Sequence, residues 1–128
     1  MGQPLAWFEV ISDDAERAQR FYAELFDWQV TADPTMPGYA IVDTGNGEDA
    51  VGGGIGAPSG PNPYPPTDPH IRETGVKIYL RVDDLEAYLA KAESLGGKRL
   101  VEPMALPGDF GTIAVLADPD GNPVGLWA

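Results

Sequence analysis

The sequence predicts an α+β fold made of two tandem βαβββ modules, and three observations predict it. A strand-to-helix segment occurs twice, the apolar period lengthens at the same place in each copy, and three strand-length segments follow each helix. Phe8-Glu9-Val10-Ile11-Ser12-Asp13-Asp14-Ala15-Glu16 is echoed by Ile78-Tyr79-Leu80-Arg81-Val82-Asp83-Asp84-Leu85-Glu86, at an offset of 84 − 14 = 70 residues. A repeated supersecondary unit implies two similar halves packed together, with a binding site in the crevice between them.

Residues 6–11 alternate as a strand, with Phe8 and Val10 on one face and Trp7, Glu9 and Ile11 on the other. Ala18, Phe21, Tyr22 and Leu25 then fall at i, i+3, i+4 and i+7, the apolar stripe of a helix lying on a sheet. Asp13 is read as its N-cap, because a carboxylate there can accept the free N–H groups of the first turn, and Glu16 completes an aspartate version of the capping box. Strands are expected near 28–31, 39–44 and 50–55, punctuated by Pro34, Pro37-Gly38 and an Asn46-Gly47 turn signal.

The second half repeats the order. Residues 77–82 alternate with Ile78, Leu80 and Val82 on one face, and Asp83 is read as the cap of a helix whose stripe is Leu85, Tyr88, Leu89 and Ala92. Gly96-Gly97 ends that helix, since only glycine enters the left-handed region without steric cost. Strands at 98–102, 112–117 and 123–127 follow, with Asp118-Pro119-Asp120-Gly121 as the last tight turn. Gly38, Val42, Val51 and Gly52 align with Gly111, Val115, Val124 and Gly125 at an offset of 111 − 38 = 73, a three-residue slip that a loop insertion accounts for. The reading is one domain over 1–128, with modules at about 5–56 and 76–128 and a Pro/Gly-rich connector at 57–75 that serves as a linker or a lid.

Composition narrows the partners. No apolar run approaches the roughly 20 residues of a bilayer span, and Met1-Gly2-Gln3-Pro4 lacks the basic and apolar parts of a signal segment, so the expected location is cytoplasmic, with no membrane partner. Cysteine is absent, which removes disulfides, thiolate nucleophiles and Cys-zinc sites together. A formal charge of −12, with the eight Lys and Arg residues scattered, repels a phosphate backbone and argues against nucleic acid. The same acidity favours solubility and would raise the local concentration of cationic ligands in a cleft.

Val82-Asp83-Asp84-Leu85-Glu86 leading into the second helix, Leu95-Gly96-Gly97-Lys98 closing it, and the ending Asp118-Pro119-Asp120-Gly121-Asn122-Pro123-Val124-Gly125-Leu126-Trp127 carry a family likeness. From Trp7 to Trp127 the chain resembles the vicinal oxygen chelate superfamily, the grouping of glyoxalase I, bleomycin resistance proteins and extradiol dioxygenases. The resemblance implies sheets curled around a shared cavity, often completed by dimerisation. In metal-dependent members it implies a divalent ion on one side chain from the first and last strand of each module, and these positions fall here on Trp7, Gly52, Lys77 and Gly125. An indole without an available lone pair, a protonated amine and two glycines are not ligands. The chain is therefore read as similar to the metal-free members, with no metal and no cofactor.

Strand alternation sends Trp7, Glu9, Lys77 and Tyr79 to the face away from the helices, and Trp127 shares it with Gly125. These five are the candidate ligand-binding residues, with Gly52-Gly53-Gly54 expected to leave open volume beside them. An indole offers a plane for stacking, while a carboxylate and an ammonium orient a polar group. A plainer reading stands beside this one: the tryptophans fill a core or a dimer interface, and Glu9 and Lys77 form an ion pair that fixes register. His70 is read as a solvated loop residue, Asp13, Asp83, Asp118 and Asp120 as caps and turns, and the glycine run not as a phosphate loop, since it lacks the Lys-Ser or Lys-Thr that would follow, but as a mark of close backbone packing or a strand kink. Three functions follow: a metal-free binder of a small amphipathic or aromatic molecule, acting as a homodimer; a metal-independent glyoxalase-like lyase or isomerase using Glu9, Lys77 or Tyr79; or a non-catalytic interaction module.

Overall fold

The computed structural model describes residues 2–45, 50–58 and 74–128. The Asn46-Gly47 turn, most of the connector and His70 lie outside the described residues. The elements run β1 (Leu5–Ile11), α1 (Ala15–Phe26), β2 (Gln29–Ala32), β3 (Ala40–Asp43), β4 (Gly53–Gly56), β5 (Gly75–Arg81), α2 (Leu85–Ser94), β6 (Lys98–Ala105), β7 (Thr112–Ala117) and β8 (Pro123–Trp127). This is βαβββ twice, as the repeat predicts. All eight strands form one mixed, unclosed sheet in the order β2-β3-β4-β1-β5-β8-β7-β6.

The order reads the same outward from the β1/β5 seam in both directions. β1 pairs with β4 in parallel and β5 with β8 in parallel, while β1 and β5 meet antiparallel. At the seam Trp7 stands opposite Tyr79, Phe8 opposite Ile78 and Glu9 opposite Lys77. Because 77 − 7 = 70 and 79 − 9 = 70, these pairs are also the repeat equivalents crossed over, which places a pseudo-twofold axis at the Phe8–Ile78 pair.

Both helices lie on one side of the sheet. Leu85 and Leu89 of α2 are buried with Val82, Ala114 and Leu126, so the second stripe packs as predicted. The first behaves differently. Ala18 and Tyr22 pack against Val10, Val42 and Ile55, but Phe21 and Leu25 are 57% and 60% exposed and no residue of α1 is buried. The Trp28 ring, stacked on Tyr22 at 5.7 Å and tilted against Phe8 at 5.4 Å, supplies the bulk between helix and sheet that those two side chains were expected to provide. Ile78 was likewise expected beneath a helix and is 40% exposed, beside Val76 at 68%. α1 lies against β4 and β2 and α2 against β6 and β7, which covers Val10 of β1 but leaves Val76 and Ile78 of β5 exposed on that side of the seam.

Both caps sit one residue later than predicted. Asp14, not Asp13, accepts from the Arg17 N–H at 3.2 Å, and Asp84, not Asp83, accepts from the Ala87 N–H at 3.0 Å. Where two aspartates adjoin, the one at the last non-helical position reaches the N–H three residues on. Asp84→Ala should therefore lower stability by about 1 kcal/mol, whereas Asp83→Ala should stay within about 0.5 kcal/mol of the parent; urea unfolding of the two variants checks this. β4 starts at Gly53 instead of near residue 50, and β6 extends past 102 to Ala105. The added length of β6 carries a register shift between Val101 and Met104, which accommodates Pro103, a residue with no N–H for the ladder. Arg99 ties this strand to α2, reaching Glu86 at 2.7 Å and Glu93 at 3.0 Å, and its hydrogen bonds hold the Glu86 carboxyl below its usual range.

Candidate functional site

The sheet face opposite the helices carries two adjoining pockets, built from the seam and from one connection in each module. The β2–β3 connection is held by Asp33, whose Oδ1 accepts from the Thr35 N–H at 2.9 Å and the Thr35 hydroxyl at 2.7 Å. The β6–β7 connection is closed by Leu106 N–H donating to the Gly111 carbonyl at 2.8 Å. Gly38 and Gly111, paired by the 73-residue offset, both have left-handed φ (82° and 87°), so the two connections turn at equivalent places. They bring Met36 and Tyr39 from one side and Leu106 and Phe110 from the other to an inner pocket of about 120 Å³. Its remaining wall is Trp7, Glu9, Ile41, Tyr79, Ile113 and Trp127. An outer pocket of about 520 Å³ shares Glu9, Tyr39 and Tyr79 and continues to Lys77, Ile11, Val101 and Met104.

All five residues singled out in the sequence thus line the concavity: Trp7, Glu9, Tyr79 and Trp127 the inner pocket, and Glu9, Lys77 and Tyr79 the outer one. Glu9 is their hub. Its Oε2 accepts from the Tyr39 hydroxyl at 2.9 Å, and its Oε1 accepts from the Tyr79 hydroxyl at 3.3 Å and lies 3.4 Å from the Lys77 ammonium. Trp7 Nε1 in turn donates to the Tyr39 hydroxyl at 3.1 Å. Burial, then the neighbouring Glu9 charge, pushes the Tyr39 phenol far above its ordinary pKa, so it stays protonated and donates. Trp127 is held from behind: the Arg81 guanidinium lies 4.3 Å from its ring, and its Nε1 donates to the Phe110 carbonyl at 2.5 Å. Trp7 and Trp127 meet edge to face at 6.2 Å.

Sequence reasoning missed Tyr39, Met36, Leu106 and Phe110, and of its two readings of the glycine run, open volume and close packing, the structure bears out the second. A Cβ on Gly54 would overlap the Tyr39 ring, one on Gly125 the Tyr79 ring, and one on Gly53 the Phe8 ring on the helix side, while one on Gly52 would stand 3.3 Å from Trp7. The glycines do not leave open volume; aromatic rings occupy it. The usable signal was their pattern, because glycines on one sheet face mark the close approach of something large from elsewhere.

The positions that the superfamily uses for a metal do not fit one here. Trp7 Nε1 is engaged by Tyr39, the Lys77 ammonium faces Glu9, and Gly52 and Gly125 lie beneath rings. Among the described residues, no three His, Cys, Asp or Glu side chains converge in a way that could hold an ion.

A mixed eight-stranded sheet of two βαβββ modules, with helices on one face and a concavity on the other, defines the glyoxalase/bleomycin resistance fold. The chain belongs to the glyoxalase-like domain family, whose model matches residues 7–127, and so to the vicinal oxygen chelate superfamily. It is 30% identical over 129 residues to the anthracycline biosynthesis protein DnrV of Streptomyces peucetius, covering 95% of this chain and 46% of that protein. It is 32% identical over 123 residues to the putative glyoxylase CFP32 of Mycobacterium tuberculosis, covering 94% of this chain and 44% of that protein. The chain therefore spans about half the length of these relatives. Among solved structures, it superposes on a glyoxalase/bleomycin resistance protein/dioxygenase superfamily member from Vibrio splendidus with a TM-score of 0.59 at 14% identity, covering 98% of this chain and 97% of that one. For the methylmalonyl-CoA epimerase of Mycobacterium tuberculosis the TM-score is 0.62 at 17% identity, covering 96% and 85%. At such identities these structures share the fold. Among the described residues no helix is long and apolar enough to cross a membrane.

Proposed function

We propose that this chain binds a small amphipathic or aromatic molecule in the concavity without a metal ion, and does so as a homodimer in the cytoplasm. The observation that carries the reading is the aromatic pocket with one carboxylate in its wall, a carboxylate that already takes two phenolic hydrogen bonds and lies beside an ammonium. Such a site offers an apolar surface for a ring and a fixed polar edge for orientation. That one relative is named for anthracycline biosynthesis agrees with an aromatic ligand. The bare seam at Val76 and Ile78 offers an apolar surface for a second copy. Titration of chelator-treated protein with an anthracycline, followed by tryptophan fluorescence, should give saturable quenching that added divalent metal leaves unchanged. Binding that appears only after metal is restored would overturn the reading.

A second reading is favoured by one observation: a carboxylate, an ammonium and two phenols meet within 3.4 Å at a pocket wall, a set able to move a proton at a bound carbonyl compound. In that case, Glu9→Gln abolishes turnover while ligand binding persists.

A further inference from the structure

We propose that the inner pocket receives one end of the ligand, a single uncharged aromatic ring with nothing bulky opposite its polar end, and that Phe110 limits the size of the ring it admits. The inference rests on the binding reading above and concerns which molecules satisfy it. Three observations lead to it.

The first is size. A cavity of roughly 150 Å³ takes one benzene, so the inner pocket, at about 120 Å³, has room for no more than a single ring, and the adjoining space of about 520 Å³ is left for the remainder of the molecule. The second is that the walls are pinned. Trp127 is fixed between Arg81 and the Phe110 carbonyl, and Trp7 between the Tyr39 hydroxyl and the backbone at Gly52. A slot whose sides are held in this way discriminates by shape instead of yielding. The third is charge. Glu9, the one ionic group among the described residues of the inner wall, already has Tyr39, Tyr79 and Lys77 around it, so a charged group carried inward would be desolvated against aromatic and aliphatic surface. The ligand's polar part stays back, level with the Glu9–Lys77 edge.

Phe110 lines the inner pocket and not the outer one, and it is 37% exposed, so its side chain can be cut without opening the core. Its carbonyl, which anchors Trp127, survives substitution.

The three tryptophans make the test internally controlled. Trp7 and Trp127 line the inner pocket, whereas Trp28 packs on the helix face with Tyr22 and Phe8. Indole N–H resonances of the whole chain are followed during titration with benzyl alcohol, 4-tert-butylbenzyl alcohol, 4-(hydroxymethyl)benzoate and 4-(aminomethyl)benzyl alcohol. Benzyl alcohol should move Trp7 and Trp127 and leave Trp28 in place. The tert-butyl compound and both charged compounds should bind at least about tenfold more weakly. In Phe110→Ala the tert-butyl compound should recover to within about threefold of benzyl alcohol, with the charged pair still excluded. Using both signs of charge separates the lining from the net charge of −12, which by itself would draw the ammonium compound in. Equal binding of all four, tighter binding of the ammonium, or no recovery in Phe110→Ala overturns the ring placement alone. If no compound moves Trp7 or Trp127, the binding reading falls with it.

Discussion

Gly125→Ala should cost about 3 kcal/mol of stability, combining overpacking with loss of a hydrogen bond to a charged group, and should collapse the pocket. Gly125 pairs in register with Tyr79 across β5 and β8, and the added Cβ would overlap the Tyr79 ring as far back as Cγ, 2.6 Å away. Swinging the far end of the ring does not clear a clash so near its root. Tyr79 is 6% exposed, and its hydroxyl donates to Glu9, so displacing the ring also strips that carboxylate of a partner. Gly54→Ala is the informative contrast. There the overlap begins at the Tyr39 hydroxyl, the free end of a side chain on a connection, so Tyr39 can move aside. Its overpacking cost should be nearer 1 kcal/mol, the low end, so most of what it loses is the broken Trp7–Tyr39–Glu9 chain, about 1.5 kcal/mol, and ligand affinity falls with it. Urea unfolding and ligand titration of both variants check the pair. A larger loss in Gly54→Ala than in Gly125→Ala would mean that overlap at the tip of a ring costs more than overlap at its root, against this account.

The contrast also shows what the sequence could and could not disclose. Strand parity is a period of two, and once the repeat sets which face the helices take, Trp7, Glu9, Lys77, Tyr79 and Trp127 follow onto the other face. Pairings between elements distant in sequence are another matter. Tyr39 reaches Glu9 across 30 residues because a connection turns at Gly38 and drops the ring onto Gly54, and no local period encodes that. The glycines were visible, but a missing side chain reads equally as empty space or as space for a neighbour. Helix stripes have a similar ambiguity: Phe21 and Leu25 have the right spacing, yet Trp28, beyond the helix, supplies the contact at the sheet. The caps were misplaced by one because the residues in Asp13-Asp14 and Asp83-Asp84 are chemically identical, and only the backbone angles choose between them.

Lys77→Met and Glu9→Leu should each destabilise the protein, by about 3 kcal/mol or more, and the double variant should lose clearly less than the sum of the two. The two side chains are 13% and 14% exposed and stand directly opposite each other across the seam, in a wall otherwise made of rings and aliphatic groups. Removing one charge takes from the other its partner across the seam, whereas removing both leaves neither side of the pair unmatched and costs only the Tyr39 and Tyr79 hydrogen bonds to Glu9. The two single variants should not be equal. Without Lys77, Glu9 keeps hydrogen bonds from Tyr39 and Tyr79; without Glu9, both hydroxyls lose a charged acceptor and Lys77 loses the carboxylate opposite it, so Glu9→Leu is the more damaging. A double-mutant cycle by urea unfolding measures the coupling, and additive losses would rule out a mutually dependent pair. If the double variant loses less than the sum of the singles and still binds the ring while losing the orientation of its polar end, the pair serves to orient the ligand more than to hold the fold.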